Sequence, residues 1–124
     1  KSNNELILYL GNGPEGRGYY TILDKSSKLE KINSLPSNLD GHPSISTDGK
    51  IIITDTVVDK YSERSLIKYN TTSKSTESIV KFYSPTNFTK DLRCDFHPRL
   101  SLNNKFAVID TAHEGKRSMA LIKI

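Results

Sequence analysis

The sequence predicts an all-β fold, and three observations support this prediction. Short runs rich in Ile, Val, Tyr and Thr recur along the chain, and strands prefer these residues. Turn signals separate the runs, such as Asp48-Gly49 and Asn103-Asn104. No window shows the period of an amphipathic helix. We therefore expect short antiparallel strands joined by tight turns.

A repeated segment organises the chain. Residues 42–56 align without gaps with residues 97–111, at an offset of 55, and six of the fifteen positions are identical. Further along, residues 66–69 align with residues 121–124 at the same offset. Because the repeat includes turn residues as well as apolar positions, it indicates a repeated structural unit.

A weaker third copy lies at the start of the chain. The apolar run at residues 6–10 aligns with residues 105–109 at an offset of 99. Residues 20–23 are aligned with residues 119–122 at the same offset. The whole chain is therefore expected to consist of copies of one unit.

Each copy is predicted to be a blade of a β-propeller, because four short antiparallel strands in about 40–50 residues are typical of that fold. The copies cover about residues 1–40, 41–95 and 96–124 of a single domain. The first lacks its innermost strand and the last lacks its outermost strand, which gives a partial β-propeller of about two and a half four-stranded antiparallel blades. A β-sandwich built from a duplicated hairpin is the alternative. In the middle copy the expected strands are 43–46, 50–55, 65–70 and 76–82.

The predicted number of blades has a consequence for partners. Closed propellers have about four blades or more, so this chain is not expected to close a ring alone. Either the remaining blades of a longer propeller or a second copy would then pair with its open sheet edges. The only methionine is Met119, so we expect a fragment or a processed product.

Composition excludes several classes of function. Eighteen basic and fourteen acidic residues among 124 give a net charge of +4, which weakly favours acidic ligands. No apolar run approaches the roughly 20 residues of a membrane-spanning helix, so no membrane partner is expected. Basic residues are not interleaved with aromatic ones, so no nucleic-acid partner is expected. The single cysteine, Cys94, excludes an internal disulfide.

Propeller topology would gather polar residues at one rim. His42 and His97 precede the innermost strands of neighbouring blades, and Asp95 would share a face with His97 on an extended strand. These three residues are candidate ligands of a divalent metal, or acids and bases acting on a bound ligand. Alternatively, each His-Pro pair only fixes a turn. For Asp55 and Asp110, at the ends of second strands, we expect capping of loop amides.

Three arginines are candidate ligand-binding residues at the same rim. Arginine binds carboxylates in a bidentate manner, so Arg93, Arg99 and Arg117 could hold an anionic ligand such as an acidic sugar. The alternative for Arg93 and Arg99 is a salt bridge to Asp91 or Asp95.

Two motifs resemble known families. The pattern His-Pro-x-hydrophobic-Ser-x-Asp-Gly-Lys at residues 42–50, followed by a β-run ending in Asp, resembles the TolB-type propeller repeat. Residues 93–99 together with residues 110–117 resemble the C-terminal blades of oligogalacturonate-lyase-like propellers. The resemblance covers roughly residues 41–124, and His113 within it joins the candidate ligand-binding residues.

The resemblance implies a function in acidic-oligosaccharide binding or cleavage at one rim. Oligogalacturonate lyases cleave pectic oligosaccharides by β-elimination and hold manganese with three His and one Gln. By position, His97 and His42 match metal ligands, whereas Asp95 and Leu92 stand where a His and the Gln are expected. The catalytic His and Arg of that family have no match here, so no catalytic residue is assigned and the enzyme question stays open. The alternative is a non-catalytic protein-interaction propeller, as TolB is.

Overall fold

The computed structural model describes residues 5–35 and 40–124. Within these residues the chain forms short strands and a single 3-10 turn at Lys90–Leu92. None of the helical structure in these residues has the length and apolar character needed to span a bilayer. The strands are β1 Glu5–Leu10, β2 Gly18–Leu23, β3 Leu29–Lys31, β4 Ser44–Ile45, β5 Ile51–Asp55, β6 Glu63–Asn70, β7 Ser75–Tyr83, β8 Arg99–Leu100, β9 Phe106–Thr111 and β10 Ser118–Lys123.

The strands form three antiparallel sheets in chain order. The first sheet contains β1, β2 and β3, the middle sheet contains β4 to β7, and the last sheet contains β8, β9 and β10. Every strand pairs with its neighbour in sequence, so each sheet is a meander. The all-β prediction is confirmed. The strands of the middle sheet end within two residues of the expected positions.

The core lies in two apolar layers between the sheets. Tyr19 of the first sheet packs with Ile52 of the middle sheet in one layer. Ile53 of the middle sheet packs with Ala107 and Ile109 of the last sheet in the other. Because Ile52 and Ile53 are neighbours on β5, they point to opposite faces, and both are buried. The middle sheet is therefore covered on both sides, which stacks the three sheets in sequence order.

One part of the repeat alignment is wrong. Tyr19 packs against the middle sheet, so Tyr20 points away from it, towards the side where a preceding sheet would lie. In the last sheet Ala120 packs against the middle sheet, so Met119 points towards the side of a following sheet. Tyr20 and Met119 therefore lie on opposite faces of their respective sheets. The alignment of residues 20–23 with residues 119–122 is thus shifted by an odd number of residues. The alignment of β1 with β9 keeps equivalent faces.

Candidate functional site

Two motifs that occur in both copies of the repeat, His-Pro and Asp-Thr, lie at one rim of the stacked sheets. His42 precedes β4 and His97 precedes β8, while β5 ends at Asp55 and β9 ends one residue after Asp110. The imidazole rings of His42 and His97 are in contact, with centroids 4.1 Å apart and planes inclined by 54°. The stacking of the repeats thus brings the two predicted histidines together.

Each histidine lies beside the aspartate of its own repeat. His42 Nδ1 lies 3.1 and 3.2 Å from the two carboxylate oxygens of Asp55. His97 Nδ1 lies 3.9 Å from Asp110 Oδ2, in a looser version of the same pair. A carboxylate at Nδ1 fixes the orientation of an imidazole and leaves its other nitrogen for a ligand.

Asp55 also caps two backbone amides, as expected from its position at a strand end. Its side chain is fully buried. The His42 N–H donates to Oδ1 at 2.7 Å, and the Phe96 N–H donates to Oδ2 at 3.0 Å. Phe96 lies in the segment that leads into the last sheet, so Asp55 links the middle sheet to that segment. No such amide contact is found for Asp110 among the described residues, so the expected capping is seen at Asp55 alone.

Asp95 lies close to both histidines, although for a different reason from the one expected. One potential ligand atom from each of His42, Asp95 and His97 lies within 4.8 Å of the others. However, β8 begins only at Arg99, and His97 has a left-handed φ of 41°. The expected extended strand through Asp95 and His97 is therefore wrong, and a bend at His97 precedes β8. A non-glycine residue in this region costs about 1–2 kcal/mol.

Arg64 is the residue that sequence reasoning missed. Its side chain is buried, and its Nη2 donates to Asp95 Oδ1 at 2.5 Å while Nη1 donates to the Thr56 carbonyl at 2.5 Å. Nη1 also lies 3.8 Å from Asp55 Oδ2. The sequence offered one signal that Arg64 is buried. Alternate residues of a strand share a face, and Arg64 lies two residues before the apolar Leu66 on β6. Arg64 thereby connects the carboxylates of the middle sheet and of the segment before β8.

Asp95 is held by a second arginine as well. Arg93 Nε donates to Asp95 Oδ2 at 2.6 Å, and Arg93 Nη2 also pairs with that oxygen. Burial by itself would raise the pKa of Asp95, but the hydrogen bond from Arg93 and the charges of Arg64 and Arg93 outweigh it and lower the pKa below its usual value. The salt bridge considered for Arg93 is thus present, and Asp95 stays ionised between two cations.

The chemistry of this donor set fits a metal only in part. Both carboxylate oxygens of Asp95 already accept from arginine, so His42 and His97 are the donors that remain open. Imidazole suits zinc, copper or nickel, whereas manganese favours oxygen ligands. By geometry the cluster is a candidate His/Asp metal site in which the Asp55 carboxylate orients the His42 ring, while Asp110 lies too far from His97 for a hydrogen bond.

The other predicted ligand-binding residues lie at separate points. His113 stacks on Phe82 of the middle sheet, with ring centroids 4.3 Å apart and planes inclined by 21°. Burial raises the pKa of the Cys94 thiol, and the positive charge of the nearby Arg117 partly opposes this effect. Arg99 is exposed at the start of β8. His113 therefore packs on another side chain, whereas Arg117 and Arg99 are both exposed.

The rim also exposes apolar side chains. The loop at residues 56–62 carries Val57 and Val58, which are 42% and 40% exposed, and Tyr61, which is 68% exposed. Leu92 on the 3-10 turn is 61% exposed. Two segments of this rim thus expose apolar side chains.

Comparison with solved structures identifies the fold. The chain is similar to TolB from Acinetobacter baumannii, with a TM-score of 0.64 and 13% identity over 86% of this chain and 26% of that chain. It is also similar to an oligogalacturonate lyase in complex with manganese, with a TM-score of 0.47 and 10% identity over 99% of this chain and 46% of that chain. Searches with protein-family models and of curated proteins gave no match.

The similarity to TolB supports the fold expectation and nothing finer. The likeness to TolB shows that the three sheets have the arrangement of part of a β-propeller. The resemblance expected from the His-Pro motifs is thus confirmed at the level of the fold. The chain spans about a quarter of the TolB chain and less than half of the lyase chain.

Proposed function

We propose that the rim around His42 and His97 binds acidic oligosaccharides. The observation that carries this proposal is the contact between the two imidazoles at an exposed rim, where their side chains are 41% and 47% exposed. Two imidazoles side by side offer adjacent hydrogen-bonding nitrogens, which suit the closely spaced oxygens of a sugar.

Arg99 supplies the charge that would select a carboxylated sugar. It is exposed and lies two residues from His97. Among the described residues it forms no ion pair, so its guanidinium is open to a ligand carboxylate. Arg93 differs, because it is already paired with Asp95. We therefore assign carboxylate recognition to Arg99 and a supporting role to Arg93.

A divalent cation is the second part of this proposal. His42 and His97 would hold it, and Asp55 and Asp110 would keep the two rings oriented. When bound, the cation would supply positive charge beside a sugar carboxylate. Asp95 stays with its arginines in this arrangement.

A calorimetric titration tests the binding of sugar. A galacturonate trisaccharide should bind, and the same trisaccharide with methyl-esterified carboxyls should bind at least about tenfold more weakly, because a charged hydrogen bond is lost. Arg99→Ala should weaken binding of the acidic sugar by a similar factor. The matched control, Lys105→Ala, removes an exposed charge from the opposite rim and should leave binding unchanged. Equal binding of the two sugars, or of the Arg99 and Lys105 variants, would overturn the proposal.

Metal analysis tests the cation separately. After equilibration with zinc or manganese and removal of free metal, the chain should retain zinc in preference to manganese. His97→Ala should retain less metal than the unaltered chain. Equal metal content in both proteins would remove the metal part and leave the sugar titration as the test of the rest.

A second candidate function is binding of a protein partner. The exposed apolar side chains of Val57, Val58 and Tyr61 favour it, because contiguous exposed apolar surface marks interaction sites. If neither trisaccharide binds, this candidate replaces the first one.

A further inference from the structure

We propose that a cavity between the first and middle sheets binds a small zwitterion, such as a free α-amino acid with an apolar side chain. Arg17 and Asp40, two side chains of opposite charge, line this cavity from either side of the interface. These residues differ from those assigned to the sugar, so the inference goes beyond the proposed oligosaccharide binding and does not depend on it.

The interface between the middle and last sheets shows the same kind of pair in a closed form. Arg64, at the start of β6, donates at 2.5 Å to Asp95 in the segment that leads into the last sheet. Both side chains are buried. Asp40 is equivalent to Asp95 at the offset of 55. Arg17 directly precedes β2, the strand of the first sheet that corresponds to β6. The repeat therefore predicts an ion pair between Arg17 and Asp40.

This pair is open in the structure. Arg17 and Asp40 are both exposed, and neither forms an ion pair or a hydrogen bond with another described residue. Instead they line a cavity of about 340 Å³, together with Tyr9, Gly11 and Val57 among the residues that the structure describes. Two charges of opposite sign thus meet the same cavity without neutralising each other.

The glycine at position 11 helps to keep the cavity open. At the offset of 99 Gly11 is equivalent to Asp110, which is itself equivalent to Asp55. Asp55 Oδ2 lies 3.8 Å from Arg64 Nη1 at the next interface. A Cβ at Gly11 would meet no atom within 4 Å. Arg17 therefore receives no carboxylate from the Gly11 position, and its positive charge stays available to a ligand.

The charges of the cavity favour a ligand that carries both signs. A ligand carboxylate would accept hydrogen bonds from the Arg17 guanidinium, and a ligand ammonium would donate to the Asp40 carboxylate. A ligand with a carboxylate alone would cover Asp40 without giving it a positive partner, which is unfavourable because an unpaired charge loses its hydration. The charge of Asp40 also acts on Arg93, but Asp95 already holds that guanidinium. The complementary ligand is therefore a zwitterion.

The rest of the lining suits a small apolar group. Val57 is 42% exposed, and the half-buried Tyr9 packs edge-on against Tyr19 with ring centroids 5.2 Å apart. Side chains of this kind contact apolar ligand surface, while a few polar groups fix the orientation of the ligand. A volume of about 340 Å³ is near the lower limit of typical ligand pockets, so we expect a ligand of the size of one amino acid.

A nuclear magnetic resonance titration with L-leucine tests the site. At up to about 10 mM leucine, well above a millimolar Kd, the backbone amide signals of Gly11 and Arg17 should shift in a saturable manner. N-acetyl-leucine lacks the ammonium group, and leucinamide lacks the carboxylate. Each should therefore bind at least about tenfold more weakly than leucine. Absence of a saturable shift at these two amides would overturn the proposal.

Two substitutions assign each ligand charge to its partner. Asp40→Asn should remove the preference for leucine over N-acetyl-leucine and keep the preference over leucinamide. Arg17→Gln should do the reverse, because it removes the partner of the carboxylate. The control Lys105→Ala changes an exposed side chain at the opposite rim and should keep both preferences. Loss of both preferences in each variant, or of neither, would overturn the proposal, and the amide spectra themselves show that the variants are folded.

Discussion

His42 and His97 are 55 residues apart in the chain, and their imidazole rings are in contact with centroids 4.1 Å apart. They occupy the same position of two successive repeats. Because the repeats stack as neighbouring sheets, equivalent positions meet at the rim. A single His-Pro motif per repeat thereby becomes a pair of histidines, and a single Asp-Thr motif becomes a pair of supporting carboxylates.

Removal of the buried arginine should strongly destabilise the fold. Arg64→Met leaves the buried Asp95 without one of its two cationic partners and takes a positive charge from beside Asp55. Breaking a buried pair costs about 3–5 kcal/mol. Urea unfolding followed by circular dichroism measures the free energy of unfolding. Arg99→Met, the exposed control, should change it by less than about 0.5 kcal/mol. Similar losses for both variants would contradict the role assigned to Arg64.

The two aspartates of the repeat should differ in their contribution to stability. Asp55→Asn removes the charge of a buried carboxylate that accepts hydrogen bonds from two backbone N–H groups. We expect the free energy of unfolding to fall by about 2 kcal/mol. Asp110→Asn, at the equivalent position, removes only a 3.9 Å pair with His97 at a partly exposed site. We expect less than about 1 kcal/mol there. An equal effect at both positions in thermal or urea unfolding would argue against the amide-capping role of Asp55.

Asp95 should make stability depend on acid pH. Its pKa in the folded state lies below the ordinary value of 3.8. The stabilisation from its carboxylate is therefore complete above pH 3.8 and is lost as the pH falls through the folded-state pKa. The difference in unfolding free energy between the unaltered chain and Asp95→Asn should be constant at neutral pH and shrink below 3.8. A difference that stays the same or grows on acidification would contradict the paired state of Asp95.

Gly41 should tolerate no side chain. A Cβ at this position would collide with the Asp55 carbonyl and with the hydroxyls of Tyr19 and Thr54. Those hydroxyls share a 2.9 Å hydrogen bond that joins the first sheet to the middle sheet. We expect Gly41→Ala to cost about 1–3 kcal/mol through overpacking. Gly11→Ala meets no atom within 4 Å and serves as the control, which should unfold at nearly the unaltered temperature.

The fold could be predicted because the strands and turns of the repeat are specified by short-range sequence patterns. Alternating apolar residues and turn signals placed the strands of the middle sheet within two residues of their observed ends. The 55-residue offset placed His42 and His97 at equivalent positions, and stacking then brought them together. These inferences need only the period of a strand and the regularity of a repeat.

The details of the site could not be predicted, because they depend on contacts between distant segments. Arg64 on β6 and Asp95 in the segment before β8 are 31 residues apart, and nothing near Arg64 in the sequence identifies its partner. The left-handed φ of His97 breaks the strand alternation that the sequence pattern assumes. The shifted phase at Tyr20 arose because the third copy is too weak to reveal an insertion or deletion of three residues: seven residues separate the paired Leu10 and Gly18, whereas ten separate the equivalent pair Ile109 and Ala120.

The most direct test of the account is a nuclear Overhauser measurement on the 124-residue chain. The central claim is that stacked repeats place His42 and His97 side by side at one rim. The ring protons of these two residues should give cross-peaks to each other, and a His97→Ala sample should lose them. If the His42 ring gives cross-peaks only to residues of its own sheet, the stacking that the account requires is contradicted.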